Sequence, residues 1–407
     1  MGGEGTAHAI SPRYTLIQMP TDALLPLLAA NQPRLLARLR QLVEIESPTE
    51  DKPGVDRAGE LVASWATELG ATVRRHRRQA TGDVLELRFG KTKRARGRVL
   101  LLGHLDTVWP LGTLAHMPWR ETKATHSKVT RNEPARLYGP GILDMKAGVV
   151  MAIEALAALH TLGLTRPATL LLNPDEETGS AASRALTEQL AQQCSAVFVL
   201  EPAQGLAYKT ARKGVGHYTL TVTGVASHAG VDFERGHSAI HELARQVERI
   251  SSLTDLARGL TVNVGVIQGG TRSNVVAASA SAEIDVRIAH AADANRIERQ
   301  LRALRPIDKA CTLTLTGGIN RPPMERKSGT VALFRTAQRL ARQLGLALTE
   351  AATGGGSDGN FTAALGIPTL DGMGAVGAGA HASHEHIEHS HLLERTTLLA
   401  AMLATVD

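Results

Sequence analysis

Three short apolar runs in the first half of the chain each end in acids or a histidine. VLLLGHLD (99–106) ends in His104 and Asp106, TLLLNPDEE (169–177) in Asp175, Glu176 and Glu177, and AVFVLE (196–201) in Glu201. This pattern constrains the fold more than any other feature. A run that is apolar at every position, rather than at alternate ones, suits a strand covered on both faces. The covering helices are also legible: DMKAGVVMAIEALAALHTLG (144–163) has helical length and apolar spacing, and Gly163 is placed to cap it. Buried strands alternating with helices imply an α/β layer with a largely parallel sheet. Ligands of open α/β sheets bind at the carboxyl ends of the strands, which is where these acids stand.

The middle of the chain changes character. HYTLTVTG (217–224) alternates, as a half-exposed strand does, and SAIHELARQVERISSL (238–253) is helical. TVNVGVIQGG and SASAEIDVRIA read as strands, DANRIERQLRALR (293–305) as a helix and CTLTLTGG (311–318) as a strand. The order β-α-β-β-α-β matches a ferredoxin-like sandwich. After NRPPM (320–324) the earlier style returns with TVALFRTAQRLARQLGL and GIPTLDGMG. The economical reading is an α/β domain, 21–212 plus 323–407, interrupted by an inserted sandwich at 213–322; three consecutive small domains are the alternative. Residues 1–20 read as a flexible arm.

At 407 residues the chain exceeds the usual single core. Apolar residues make up 43% and charged residues 21%, the balance of a soluble protein. Net charge is +6, with local basic runs at VRRHRRQ (73–79) and GKTKRARGR (90–98). Aromatics are only 3%, too few for base-stacking platforms, so the runs read as solvated loop or edge surface rather than a nucleic-acid site. No apolar run approaches the roughly 18 residues of a membrane span. The first residues lack the basic and apolar regions of a signal peptide. Cys194 and Cys311 cannot build a disulfide framework and read as small core residues. The expectation is a cytoplasmic protein without membrane or nucleic-acid partners.

His104 and Asp106 are two apart, so in extended chain they point to one side. Such a pair suits a metal-bound imidazole whose other nitrogen is held by a carboxylate. Asp144 sits in the Gly-rich turn YGPGILDMKAG, which leads into a helix. Taken singly, each residue has an ordinary explanation: a structural histidine, a helix cap, a solvated glutamate. Together they set an imidazole and several carboxylates at one rim, and carboxylates crowded in a cleft are costly without a cation. A histidine–carboxylate mixture with no thiolate suits catalytic zinc, cobalt or manganese.

The ordered set GHLDTV, GPGILDMKAG, NPDEETGS, LEPA, ASHAG, GGTRSNVV and HASHE resembles a dizinc exopeptidase family. That family includes glutamate carboxypeptidases of the carboxypeptidase G type, aminoacylases, acetylornithine deacetylase, succinyl-diaminopimelate desuccinylase and tripeptidase T. The similarity spans roughly residues 35–405. The resemblance implies two zinc ions per subunit, one on His104 and Glu201, the other on Glu177 and His381, with Asp144 bridging. It makes Glu176 the general base and Asp106 the residue that orients His104, and leaves Asp175 to the turn or its surroundings. His381 is preferred over His384 and His386 because the family has a histidine four residues before a glutamate, here Glu385. DMK replaces the two acids many members carry, without moving the bridge from Asp144. The inserted domain is expected to form a homodimer in which His228 reaches the partner's site to stabilise the oxyanion. Asn274 and Arg287 are expected to hold the substrate's α-carboxylate; the alternative for Arg287 is pairing with a neighbouring acid on the polar face of AEIDVRI. The implied activity is hydrolysis of peptides or N-acyl amino acids with a free C-terminal carboxylate, glutamate included. An aminoacylase or deacetylase, and a non-catalytic peptide-binding relic, are the alternatives.

Overall fold

The computed structural model describes residues 21–90, 97–124 and 134–406. The arm at 1–20 and most of the basic run at 90–98 lie outside the described residues.

The larger sheet has six strands. In spatial order they are Thr72–His76, Val84–Phe89, Ala168–Asn173, Val99–His104, Ala196–Val199 and Thr369–Leu370. The last four run parallel, and Val84–Phe89 pairs antiparallel with both Ala168–Asn173 and Thr72–His76. Every residue of Val99–His104 and Ala168–Asn173 is buried, as their uninterrupted apolar pattern requires. Successive side chains feed different cores. Leu101 and Leu170 pack with the helices Ala147–Thr161 and His389–Thr405, whereas Leu100, Leu102 and Leu171 pack with Leu190 and Ala191 on the other face. The run VRRHRRQ begins in the outermost strand, so it is edge surface as expected.

Two glycines fix the long helix. Gly163 follows it with φ 67°, the left-handed position a side chain disfavours, and Leu164 N–H turns back to Leu159 O at 2.8 Å. Gly148 lies against the end of a sheet strand: a Cβ there would stand 2.1 Å from Leu200 O. The first turn of the helix therefore presses directly on the segment that carries Glu201.

Residues 214–321 build a second sheet. Its strands are antiparallel in the spatial order Thr261–Gly269, Ser279–Ile288, Gly214–Thr223, Thr312–Arg321. Helices Ala239–Ser251 and Ala291–Arg302 complete the β-α-β-β-α-β order. A separate core contains Tyr218, Leu220, Val222, Ile284, Val286, Ile297 and Leu301. Ser238 caps the first helix, its Oγ accepting from His241 N–H at 3.3 Å. The last strand runs to Arg321, beyond the expected end at 318, and this carries a cation back to the first layer.

Both cysteines are free thiols. Cys311 is buried in the second core, and burial pushes Cys194 up to about 11. No helix among the described residues is long and apolar enough to cross a membrane.

Candidate metal centre

The strand ends bring the acids and histidines together. His104 ends one strand, Glu176 and Glu177 follow its neighbour in a short 3-10 turn, and Glu201 follows the strand on the other side. Asp144 comes from the turn Ile142–Lys146 that opens the long helix. Its two carboxylate oxygens face different imidazoles: Oδ1 lies 3.2 Å from His104 Nε2, and Oδ2 lies 3.5 Å from His381 Nε2. Glu201 Oε1 approaches His104 Nε2 at 3.8 Å, and Glu177 Oε2 approaches His381 Nε2 at 3.3 Å. His104, Asp144 and Glu177 could hold a metal ion, as could His104, Glu176 and Glu201.

Charge and burial agree with that reading. Burial raises Glu201 to about 7, with Asp144 adding to the shift and Arg212 opposing it. Burial also raises Glu177, and lifts Glu176 well above its ordinary value although Arg321 opposes. The imidazoles are raised as well, but by their negative neighbours, which favours their charged form. The carboxylates of Asp144 and Glu177 raise His381 to about 10. Burial works against a charge on His104, yet Asp106 and Asp144 lift it well above the usual imidazole range. The pocket thus favours positive charge between these groups. Glu177 Oε1 is buried without a hydrogen-bond partner, which a coordinated cation would satisfy. Nitrogen and oxygen donors with no thiolate fit zinc or a similar divalent ion.

Asp106 is fully engaged beneath His104. Its carboxylate accepts from Thr49 Oγ1 at 2.8 Å, Glu176 N–H at 3.2 Å and Glu177 N–H at 3.1 Å. The nearer acceptor for His104 Nδ1 is the Asp106 carbonyl at 2.9 Å, with the carboxylate at 3.4 Å. One residue therefore contacts both the imidazole and the turn bearing both glutamates. Asp175 is buried and accepts from Ala182 N–H at 2.6 Å, which makes it a turn residue. His384 is exposed, whereas His386 is buried against Tyr138 and hydrogen-bonds the His384 carbonyl.

Several contributors escaped the sequence reading. Arg321 Nη2 donates to Glu176 Oε1 at 2.7 Å and to Asp358 Oδ1 at 3.1 Å. Arg212 Nη2 pairs with Asp371 at 2.6 Å and lies 3.4 Å from Glu201. Glu385 accepts from three backbone amides around Asp144. For Glu385 alone there was a signal, its spacing from His381.

The inserted module holds the remaining candidates. His228 and Asn274 lie on paired backbone, with Ala229 N–H donating to Asn274 O at 3.0 Å and a bridge between His228 and Val275. Both are exposed, and neither side chain hydrogen-bonds to the carboxylate cluster among the described residues. His228 Nδ1 accepts from Gly230 N–H at 3.1 Å. Arg287 shares the polar sheet face with Glu283 and Asp285; it forks onto Asp285 at 2.8 and 2.9 Å and reaches Gly354 O at 3.4 Å.

The sequence model of Peptidase family M20/M25/M40 matches residues 100–405. Carboxypeptidase G2 from Pseudomonas sp. is 31% identical over 412 aligned positions, covering 98% of this chain and 94% of that protein. The chain belongs to peptidase family M20/M25/M40. Other relatives of this M20 chain include acetylornithine deacetylase from Klebsiella pneumoniae, 28% identical over 72% of this chain and 78% of that one. Its fold is similar to aminopeptidase PepT from Bacillus cereus, with a TM-score of 0.73 at 20% identity over 92% and 98% of the two chains. An M20 family metallo-carboxypeptidase from Sulfolobus solfataricus aligns with a TM-score of 0.66 at 16% identity over 91% and 98%. The M20 chain is accordingly a hydrolase of the peptidase and amide-hydrolase class, and its acid–histidine cluster could hold a metal ion.

Proposed function

We propose that this chain is a zinc-dependent carboxypeptidase-like amide hydrolase that uses two zinc ions, with cobalt or manganese as possible substitutes. Its substrates are short peptides or N-acyl amino acids with a free C-terminal carboxylate, and it releases the C-terminal amino acid, glutamate among them. The observation that carries the reading is Asp144, whose two oxygens face His104 on one side and His381 on the other. His104 and Glu201 would hold one ion, Glu177 and His381 the other, and Asp144 both. When bound, such a pair lowers the pKa of a water and polarises the scissile carbonyl. Glu176 takes a proton from the attacking water and hands it to the leaving nitrogen. Its Oε1 is held by Arg321, and its Oε2 takes no hydrogen bond among the described residues, which suits that task.

Asn274 and Arg287 hold the substrate's carboxylate; a planar guanidinium grips such a group through two parallel hydrogen bonds. The inserted module forms a homodimer, and His228 stabilises the oxyanion in the partner's site. The outermost strand Thr261–Gly269, with Val266 and Ile267 exposed, supports that docking. The deacetylase relative favours a second reading, N-acyl amino acid deacylation at the same centre. The intact set of five donors plus Glu176 speaks against a non-catalytic relic. The free, separately packed thiols support a reducing, cytoplasmic setting.

The test is a panel of N-acyl amino acids and dipeptides assayed for released amino acid before chelation, after chelation and after zinc is restored. Turnover should vanish with the metal and return with zinc. Full turnover by metal-free protein would overturn the reading.

A further inference from the structure

We propose that Glu385 is a positioning residue that assembles the His381 half of the centre, so that the second ion binds only as well as Glu385 joins its loop to that of Asp144. This rests on the two-zinc reading above. Glu385 is fully buried, four residues after His381. Its Oε1 accepts from Leu143 N–H at 2.8 Å and Asp144 N–H at 3.1 Å. Its Oε2 accepts from Gly141 N–H at 2.9 Å and from the Trp109 indole N–H at 2.8 Å. Three of the four donors are backbone amides of the turn that presents Asp144. One carboxylate from the His381 loop therefore clasps the Asp144 turn. Four donors saturate that carboxylate, so it acts through its neighbours and not as a ligand.

The two halves of the centre are held differently. His104 is 1% exposed, ends a buried strand and has its Nδ1 anchored on Asp106; Glu201 follows the adjoining strand. These positions are fixed by the sheet. His381 lies in a loop between Gly377–Ala378 and His386–Glu388, its side chain is 53% exposed and its φ is +61°. Among the described residues the acids that its ring pairs with are Asp144 and Glu177. A non-glycine residue in the left-handed region persists where its surroundings over-determine it, and Glu385 is the anchor that joins this loop to Asp144. Asp144 serves both ions, but the other side keeps His104 and Glu201 on the sheet, so loss of Glu385 should weaken the ion on the His381 side far more than its neighbour.

The experiment needs no turnover. Metal-free protein is titrated with zinc against a chromophoric chelator, and bound ions are counted by native mass spectrometry. The parent should take two. Glu385→Gln places an amide donor where a backbone N–H needs an acceptor; it should keep one ion near parental affinity and bind the other roughly ten- to a hundredfold more weakly. His381→Ala should give the same one-ion pattern. Trp109→Phe removes a single donor from the outer side of the carboxylate and should weaken only the second ion, roughly severalfold; it decides the matter if Glu385→Gln does not fold. Parental binding of both ions by the variants, or equal weakening of both, would overturn the proposal. A parent that takes fewer than two ions would overturn the two-zinc reading and this inference together, a result distinct from a two-ion parent with indifferent variants.

Discussion

Replacing Asp106 by asparagine keeps size and packing but removes a charge and one acceptor. Thr49 and the Glu177 amide converge on Oδ2, while the Glu176 amide and His104 Nδ1 face Oδ1. An asparagine must place its NH2 group on one of these sides. The less costly choice is the Oδ1 side, where a single amide hydrogen bond at 3.2 Å is lost. That leaves the Glu176 N–H facing a donor and removes the negative charge beside His104. A hydrogen bond to a charged group contributes about 1.5–3 kcal/mol, which equals roughly ten- to a hundredfold in an equilibrium constant. Zinc affinity, read by competition with a chelator, should fall within that range, and kcat/KM should fall with it. The metal-free variant should also unfold at lower temperature than the metal-free parent. Zinc affinity within twofold of the parent, with unchanged kcat/KM, would refute the claim that Asp106 organises both His104 and the glutamate turn.

Arg287→Ala should sharply reduce kcat/KM on free-acid substrates and hardly at all on C-terminal amides, with zinc content intact; equal losses on both would mean that Arg287 serves only its pair with Asp285. Mixing His228→Ala subunits with Glu176→Gln subunits should restore part of the activity if His228 works across the dimer, and no recovery after confirmed subunit exchange would refute a shared site. Glu154, fully buried in the long helix, pairs with Arg34 at 2.7 Å and Arg38 at 2.8 Å. Glu154→Ala leaves the buried Arg38 with only Glu68, at 2.9 Å, as a carboxylate partner and should cost about 3 kcal/mol, the low end for a broken buried pair because Arg38 keeps Glu68 and Arg34 is partly exposed. A denaturant titration showing a loss below about 1 kcal/mol would contradict it.

The parallel core was legible because strands covered on both faces must be apolar at every position, and Leu100, Leu101 and Leu102 divide between two cores as that requires. The sandwich was legible for the opposite reason: alternate residues of Gly214–Thr223 and Ser279–Ile288 are buried. The hairpin Thr72–His76 with Val84–Phe89 left little trace, because its outer strand is an exposed edge rich in arginine. At the centre, acids that follow strands announce themselves by position. Arg321, 145 residues from Glu176, acts through a tertiary contact that no local spacing encodes; Glu385 was marked by its spacing from His381, but its grip on Asp144, 241 residues away, was not. Arg287 shows the limit from the other side: its polar face and the neighbouring acid were both readable, but the two-pronged fork onto Asp285 is set by side-chain geometry.

The division of labour between two adjacent carboxylates is the heart of the account. Glu176 lies on Arg321 and is assigned the proton, whereas Glu177 faces His381 and is assigned the metal. Bound zinc and turnover should be measured side by side in Glu176→Gln and Glu177→Gln. Glu176→Gln should retain both ions while turnover falls roughly a hundred- to ten-thousandfold, and Glu177→Gln should lose an ion along with activity. Identical zinc content in the two variants, whether both retain it or both lose it, would contradict the assignment.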